Sequence, residues 1–273
     1  MNPTNKESKA FTGKVAVVTA SITGIGNAIL KKLAQNGATT YLAAHLKDDS
    51  MQVVNELREQ GLDVKYVRFD GFDNTTHRAM IEEVVKNEGK IDILVNNFGL
   101  TDPKKDLDLI TGDTDTFFKT VNSNLESVYL TSKAALPHMI KQGDGRIVNI
   151  SSIGSVVPDL GRLGYMVSKA AINSLTQNIA FMYARFGIRC NSIMPGMTAT
   201  PAVVNALSEE YSKMYLSHTT AGRIAQPEEM ANAVYFLVSD ESSYINGEII
   251  NMAGGFGTGT PLYADYLNGK SIG

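Results

Sequence analysis

Tyr165 and Lys169 stand four residues apart in a stretch whose apolar residues recur at helical spacing. Side chains with that spacing share one face of a helix, so the phenol and the ammonium are expected to be neighbours. A phenol with its ordinary pKa of about 10 is a reluctant proton donor, and a nearby ammonium shielded from water should lower that pKa. The pair could then exchange a proton with an oxygen atom, although most such pairs are plain surface contacts.

Two serines and an asparagine could extend this chemistry. Ser151 and Ser152 follow an apolar run, and a serine hydroxyl beside Tyr165 would stabilise negative charge on a reacting oxygen. Both serines are candidates from their position alone. Asn124 lies within a long helical pattern, where a polar side chain that bonds to its own helix is the simplest interpretation.

Two glycine-bearing turns have the composition of a nucleotide site. The segment 19–26 joins a strand pattern to a helical one, and the segment 96–99 follows a later strand pattern. Glycines in such a turn let the backbone approach a pyrophosphate, and the start of the helix presents free N–H groups to it. A simple strand-to-helix connection would look similar. Asp70 follows another strand pattern and can bind an adenine amino group or simply be solvated.

The elements that must position these residues alternate between strand and helix along most of the chain. Runs rich in Val, Ile and Tyr predict seven strands, which begin near Lys14, Thr39, Asp63, Ile91, Arg146, Ile188 and Glu248. Apolar strands separated by helices indicate an α/β fold, a Rossmann-like doubly wound sheet of seven parallel strands with helices on both faces. We expect one domain over residues 1–273, with a kink or a break at Pro137.

Three segments lie outside this repeating pattern. Residues 1–13 are predicted to be a polar N-terminal extension, and residues 199–227 a substrate loop with short helices. Residues 256–273 combine glycines with aromatic residues and are predicted to be a tail that packs on another part of the molecule.

Composition limits the classes of partner. A net charge of −3 without a run of basic residues gives no surface for nucleic acid or an anionic membrane. The chain start lacks the apolar core of a signal peptide and no apolar run is long enough to span a membrane, so a cytoplasmic protein is expected. No metal site is expected from the histidine spacing, and Cys190 is interpreted as a buried strand residue.

Taken together, these motifs resemble the short-chain dehydrogenase/reductase family over residues 14–255. The resemblance implies a nicotinamide-dependent oxidoreductase that interconverts a secondary alcohol and a ketone. It rests on Thr19 to Gly26, Asn96 to Gly99, Ser152, Tyr165 to Lys169 and Pro195-Gly196.

The resemblance also implies a role for each residue. Tyr165 would exchange the proton, Ser152 would bond to the substrate oxygen, Lys169 would hold the nicotinamide ribose, and Asn124 would hold a water for proton exchange. The substrate would contact Ser152, Gly154 and Tyr165. The implied cofactor-binding residues are Ser21, Thr23, Gly24, Ile25, Gly26, His45, Asp70, Gly71, Asn97, Gly99, Tyr165, Lys169, Pro195, Thr198 and Thr200. For Thr198 and Thr200, capping of their own loop is a competing explanation.

Two departures from the family pattern concern the coenzyme. Ala20 stands where the family usually has its first glycine, which is tolerable if Ala20 has a negative φ. Thr23 and His45 stand at positions where the NADP-dependent members of the family that are most similar to this chain tend to have arginines. Ala44 replaces the acid that binds the ribose of NAD, so NADP is favoured, with His45 and Lys47 as donors, and NAD stays open.

Within the family, residues 92–97, 153–159 and 254–261 are most similar to bacterial 7α-hydroxysteroid (bile acid) dehydrogenases. The resemblance therefore implies a steroid alcohol or ketone as substrate and a homotetramer as assembly. A 3-oxoacyl carrier protein reductase or a sugar alcohol dehydrogenase is the alternative within the family. The carrier protein would need a basic patch, where the sequence offers only the scattered Arg162, Lys213 and Arg223. A non-catalytic nicotinamide-sensing protein would be expected to have lost the tyrosine or the lysine.

Overall fold

Seven parallel strands form one sheet in the computed structural model, which describes residues 9–270. Their order is β3-β2-β1-β4-β5-β6-β7, so the winding direction reverses between β1 and β4 and leaves a crevice at their carboxyl ends. The predicted fold class is confirmed. The strands are β1 (Val15–Thr19), β2 (Thr39–Ala44), β3 (Val64–Arg68), β4 (Ile93–Asn96), β5 (Gly145–Ile150), β6 (Ile188–Pro195) and β7 (Ile249–Met252).

Helices cover both faces of the sheet. Side chains alternate along each strand: Ala16 and Val18 pack in one core layer, and Val15 and Val17 in the other. Helices α1, α2 and α8 close the first layer, and α3, α4 and α5 close the second. These helices are α1 (Gly24–Gln35), α2 (Lys47–Glu59), α3 (Asn74–Glu88), α4 (Thr114–Gln142), α5 (Leu163–Tyr183) and α8 (Pro227–Val238).

Helix α4 continues through Pro137, so the predicted possibility of a break is wrong. Proline removes one N–H and leaves the carbonyl of Lys133 without its helical partner. Both residues are exposed, and water can solvate that carbonyl. The opposite side of the helix is held in the core by Ala135, Leu136 and Met139.

The segments outside the repeating pattern are partly structured. The loop at residues 199–227 contains α6 (Pro201–Ala206) and α7 (Glu209–Ser217), as expected, and the tail contains α9 (Tyr263–Leu267). The tail contacts the loop where the rings of Phe256 and Tyr215 stack with centroids 4.4 Å apart.

The two ends of the chain are described only in part. Residues 1–8 of the expected N-terminal extension and residues 271–273 of the tail lie outside the described residues. Phe11, within the expected polar extension, is buried and packs edge-on against Tyr235 at 5.2 Å between centroids. The part of the extension from residue 9 onward is therefore packed on the domain. Cys190 is buried in β6, as predicted.

Candidate active site

The two glycine-bearing turns meet at the crevice between β1 and β4. The Asn97 side chain donates to the carbonyl oxygens of Thr19 at 3.1 Å and Ala20 at 3.0 Å. The Thr19 hydroxyl accepts from the backbone N–H of Asn97 at 2.9 Å. A Cβ on Gly26 would lie 2.5 Å from Nδ2 of Asn97, so glycine is needed for this close approach. Asn97 thus joins the turn after β1 to the turn after β4.

Ala20 has φ of +51°, so the negative φ that would make alanine easy to tolerate at this position is not present. The left-handed conformation costs roughly 1–2 kcal/mol for a residue with a Cβ. Ala20 is held there because its N–H donates to the carbonyl of Ala43 at 2.8 Å while its own carbonyl accepts from Asn97.

The start of α1 fits the pyrophosphate of a nicotinamide coenzyme. Thr23 is exposed and makes no side-chain cap, and the first turn carries no acidic residue, so the N–H groups at this end are suited to an anion. Gly24 has φ of +60°, and a Cβ on it would lie 3.0 Å from Cγ2 of Thr200. The segment after β6 thus borders the same turn at Gly24.

Several predicted cofactor residues also have structural bonds of their own. The Ser21 hydroxyl is buried and donates to the carbonyl of Val18 at 2.8 Å. Thr198 donates to the carbonyl of Gly196 at 3.1 Å, and Thr200 accepts from the N–H of Val203 at 3.3 Å. Both threonine hydroxyls therefore bond to backbone groups close in sequence, as the loop-capping explanation predicts. Pro195 is the last residue of β6, directly before this loop.

The residues expected around the adenosine lie at the ends of β2 and β3. His45 is exposed directly after the buried Ala44. A carboxylate oxygen of Asp70 accepts from the N–H of Phe72 at 3.0 Å. A Cβ on Gly71 would lie 2.1 Å from the ring of Phe98, so this glycine is required by packing against that ring.

Tyr165, Ser152 and Lys169 come together above the carboxyl end of β5. Tyr165 lies in the first turn of α5, and Ser152 lies in the turn that follows β5. Nζ of Lys169 lies 5.6 Å from the centroid of the Tyr165 ring and donates to the carbonyl of Ile150 at 2.8 Å. The neighbouring Ser151 donates to the carbonyl of Lys169 at 3.1 Å. Ser151 is thus engaged within the fold, while Ser152 faces the tyrosine.

Lys169 also borders the turn after β4, because a Cβ on Gly99 would lie 3.1 Å from Nζ. The lysine side chain is only 2% exposed. Within residues 9–270 its ammonium donates to Ile150 alone, which leaves two of its three N–H groups for a ligand at the crevice.

The pKa values in the site differ from the expectation. Burial raises the pKa of Tyr165 above its ordinary value, and Ser152 and Arg162 offset part of that rise. Burial lowers the pKa of Lys169 to about 8. The expectation that Lys169 lowers the pKa of Tyr165 is wrong in this structure, because Nζ turns to Ile150 and the phenol is desolvated.

Asn124 does not bond to its own helix, so the simplest interpretation of its position was wrong. Its side-chain oxygen accepts from the N–H of Leu100 at 2.6 Å, and its Nδ2 donates to the carbonyl of Leu100 at 3.0 Å. Nδ2 also donates to the hydroxyl of Ser168 at 2.9 Å. Asn124 therefore ties the segment after Gly99 to the helix that carries Lys169.

The turn after β5 and helix α7 each carry a largely exposed apolar side chain. Val156 is 56% exposed in the turn after β5, and Met214 of α7 is 56% exposed. A Cβ on Gly257 would lie 2.4 Å from Val157, so the tail approaches that turn closely. Gly154, the expected substrate contact, donates its N–H to the hydroxyl of Ser152 at 3.1 Å.

Sequence reasoning missed three residues of this region. Phe98 packs on Gly71, Arg162 lowers the pKa of Tyr165, and Asp106 bonds to the backbone of the first turn of α5. Phe98 lies inside a motif that was recognised, but its packing partner is distant in sequence. Of the three, Arg162 could have been found from the local sequence, because it lies only three residues before Tyr165.

A doubly wound sheet that brings a pyrophosphate cradle, a buried lysine, a tyrosine and a serine to one crevice defines a nicotinamide-dependent oxidoreductase. Residues 19–257 match the family model described as enoyl-(acyl carrier protein) reductase. The chain belongs to the short-chain dehydrogenase/reductase family and acts on a CH–OH group.

Relatives and solved structures are similar over nearly the whole chain. A 7α-hydroxysteroid dehydrogenase of Clostridium sardiniense is 49% identical over 258 residues, which are 94% of this chain and 98% of that protein. The structure of a 7α-hydroxysteroid dehydrogenase complexed with NADH and 7-oxo glycochenodeoxycholic acid has a TM-score of 0.86 and 31% identity, covering 93% of this chain and 98% of that chain. The structure of a gluconate 5-dehydrogenase from Burkholderia cenocepacia in complex with NADP and tartrate has a TM-score of 0.85 and 30% identity. The match covers 92% of this chain and 99% of that chain.

Membrane-spanning helices and clustered metal ligands are both absent from the described residues. Along residues 9–270, no helix combines the length and the apolar character needed to cross a membrane. The same part of the chain holds no group of three or more His, Cys, Asp and Glu side chains that could bind a metal ion.

Proposed function

We propose that this protein is a 7α-hydroxysteroid dehydrogenase that interconverts the 7-hydroxyl and the 7-ketone of a bile acid. The observation that carries the substrate assignment is the 49% identity to a 7α-hydroxysteroid dehydrogenase over 94% of the chain. The exposed Val156 and Met214, and the tail that approaches the turn after β5, support a substrate with a large apolar body.

In this proposal, a bound nicotinamide coenzyme supplies or accepts the hydride at the steroid carbon. Tyr165 donates its phenolic proton to the oxygen of the ketone, or accepts the proton of the alcohol in the reverse direction. Ser152 donates a hydrogen bond to the same oxygen and stabilises the charge that develops on it. Lys169 binds the ribose hydroxyls with the N–H groups that Ile150 leaves free. Asn124 orders a water that links Lys169 to solvent.

We infer that NADP is the preferred coenzyme. The last residue of β2 is Ala44, so no acid at that position repels a 2′-phosphate. His45 and Lys47 follow it and are both exposed. Gly24, Ile25 and Gly26 would bind the pyrophosphate through their N–H groups, and Asp70 would accept from the adenine.

The carrier-protein alternative is disfavoured by the charges around the site. Arg162 pairs with Asp159, Lys213 with Glu209, and Arg223 with Glu229, each within 2.7 Å. Each of these three basic residues is paired with an acidic residue, so together they form no open basic patch for an acidic carrier protein.

A panel of substrates with both coenzymes tests the proposal. We expect NADP-dependent oxidation of a 7α-hydroxy bile acid, followed at the absorbance of the reduced coenzyme. A bile acid without the 7-hydroxyl is the matched control and should give no turnover. Rapid reduction of a 3-oxoacyl thioester together with no bile-acid turnover would assign the protein to the alternative.

A further inference from the structure

Helix α5, which carries Tyr165, begins without a cap from its own sequence. Its N-cap residue Arg162 has φ of +57° and makes no side-chain cap. The first N–H groups of a helix have no partner within the helix and must bond elsewhere when they are buried. In most helices a Ser, Thr, Asp or Asn at the N-cap position supplies that partner.

Asp106, from the segment between β4 and α4, supplies the missing partners. Its two carboxylate oxygens accept from the N–H of Gly164 at 2.7 Å and from the N–H of Tyr165 at 2.9 Å. Its backbone carbonyl accepts from the N–H of Arg162 at 2.7 Å. The side chain is 2% exposed, so these bonds are shielded from water. One acidic residue therefore holds three backbone N–H groups within the four residues that end at Tyr165.

The fit around Asp106 is close. A Cβ on Gly164 would lie 3.0 Å from the carbonyl oxygen of Phe117 and 3.2 Å from Oδ1 of Asp106. Glycine at position 164 lets the helix start approach both groups.

The segment that carries Asp106 is itself anchored to the site. The N–H of Asp106 donates to the carbonyl of Asp102 at 2.7 Å. The start of the segment, Leu100, is held through both of its backbone groups by Asn124. Asn124 and Asp106 thus hold opposite ends of the segment 100–106, and the second end is bonded directly to Tyr165.

We propose that Asp106 is a positioning residue that holds the phenol of Tyr165 against Ser152 for proton transfer. The inference rests on the proposed role of Tyr165. A displacement of about 1 Å in a reacting group can lower the rate roughly 100-fold. An amide at position 106 would turn an NH2 group toward one of two N–H donors, so one hydrogen bond would be replaced by a contact between donors.

The variant Asp106→Asn tests this role. We expect kcat to fall about 10- to 100-fold while the dissociation constant of the coenzyme, measured by fluorescence, stays within about three-fold. Asp108→Asn is the matched control, because Asp108 is in the same segment and accepts from Ile110 and Thr111 of its own turn. The control should keep its kcat.

A double-mutant cycle separates positioning from general destabilisation. If Asp106 acts through the phenol, Asp106→Asn should cost little further turnover once Tyr165→Phe has removed the transferable proton. A purely structural role would lower the residual turnover by the same factor in both backgrounds, and that result would overturn the proposal. A folded Asp106→Asn protein with kcat within two-fold of the parent would overturn it as well.

Gly164→Ala keeps the proposal testable if Asp106→Asn does not fold. This variant crowds the same turn without removing the carboxylate, and we expect a several-fold loss of kcat at unchanged coenzyme affinity. Unchanged kcat would contradict the proposal. Full activity of Tyr165→Phe would instead refute the proposed role of Tyr165 on which the inference rests, whereas failure of the proposed function would show as no bile-acid turnover by the parent protein, so these failures are distinct.

Discussion

At the scale of single residues, the charge that acts on the Tyr165 phenol comes from Arg162. Burial raises the pKa of Tyr165, and Arg162 counteracts this rise, whereas Lys169 is turned toward Ile150. Lys169, with its pKa lowered to about 8 by burial, is instead suited to bind ribose hydroxyls. The two cations next to the tyrosine thus have different tasks in the proposed mechanism.

Replacing Arg162 should change the pH dependence of alcohol oxidation. Oxidation needs the phenolate, so kcat/KM rises with pH until Tyr165 is deprotonated. Arg162→Gln removes a cation that favours the phenolate, which raises the pKa of Tyr165 further. We expect the acid limb of the kcat/KM profile to move upward by roughly 0.3–1 pH unit, a modest shift because the guanidinium is partly solvated.

Lys213→Gln is the control for that experiment. It removes the same charge from an exposed ion pair with Glu209 on α7. Its profile should coincide with that of the parent protein. A profile of Arg162→Gln that also coincides with the parent would show that Arg162 does not act on the phenol.

At the scale of secondary structure elements, three strand ends contribute to the proposed coenzyme site. The turn after β1 and the turn after β4 are joined by Asn97, and the end of β2 presents Ala44 and His45 to the same side of the sheet. The proposed choice between NADP and NAD depends on the residues after β2, because the sugar hydroxyls bind there.

His45→Arg should strengthen the preference for NADP. A guanidinium can bind a 2′-phosphate with two parallel hydrogen bonds, which imidazole cannot. We expect the ratio of kcat/KM for NADP over NAD to rise about ten-fold, the effect of one charge-assisted bond of about 1.4 kcal/mol. Gln60→Arg, at the far end of α2, adds the same charge as a control and should leave the ratio unchanged. An unchanged ratio in His45→Arg would place the 2′-position elsewhere.

The elements were largely predictable from sequence, while the contacts between distant elements were not. Apolar strands separated by helices predicted the sheet, because burial on both faces leaves a continuous apolar run. The positive φ of Ala20 depends on bonds to Ala43 and Asn97, and the cap on α5 comes from Asp106. No local pattern encodes such contacts. The pKa of Tyr165 was mispredicted because helical spacing alone does not say where the Lys169 ammonium points.

At the scale of the whole molecule, the exposed sides of α4 and α5 are unusually apolar. Phe118 and Tyr129 are 55% and 47% exposed on α4, and Val167 and Phe181 are 41% and 88% exposed on α5. Their spacings of eleven and fourteen residues place each pair on one side of its helix. We infer that copies of the chain associate through these helices, which agrees with the homotetramer that the family resemblance implies.

Phe181→Asp should therefore dissociate the assembly. A charge buried at an apolar interface without a partner is strongly unfavourable. Sedimentation at micromolar concentration should show a mass at least about two-fold lower than that of the parent protein, since one dimer contact is lost. Gln52→Asp, on the exposed side of α2, adds the same charge and should keep the parent mass. An unchanged mass for Phe181→Asp would exclude α5 from the interface.

The most direct test of the account is the Tyr165→Phe variant, measured for both coenzyme binding and bile-acid turnover. The phenyl ring keeps the packing of the site and lacks only the transferable proton. We predict a coenzyme dissociation constant within a few-fold of the parent and a kcat lower by about 10²- to 10⁴-fold. Turnover within a few-fold of the parent would contradict the account, because the proton would then have to come from another group.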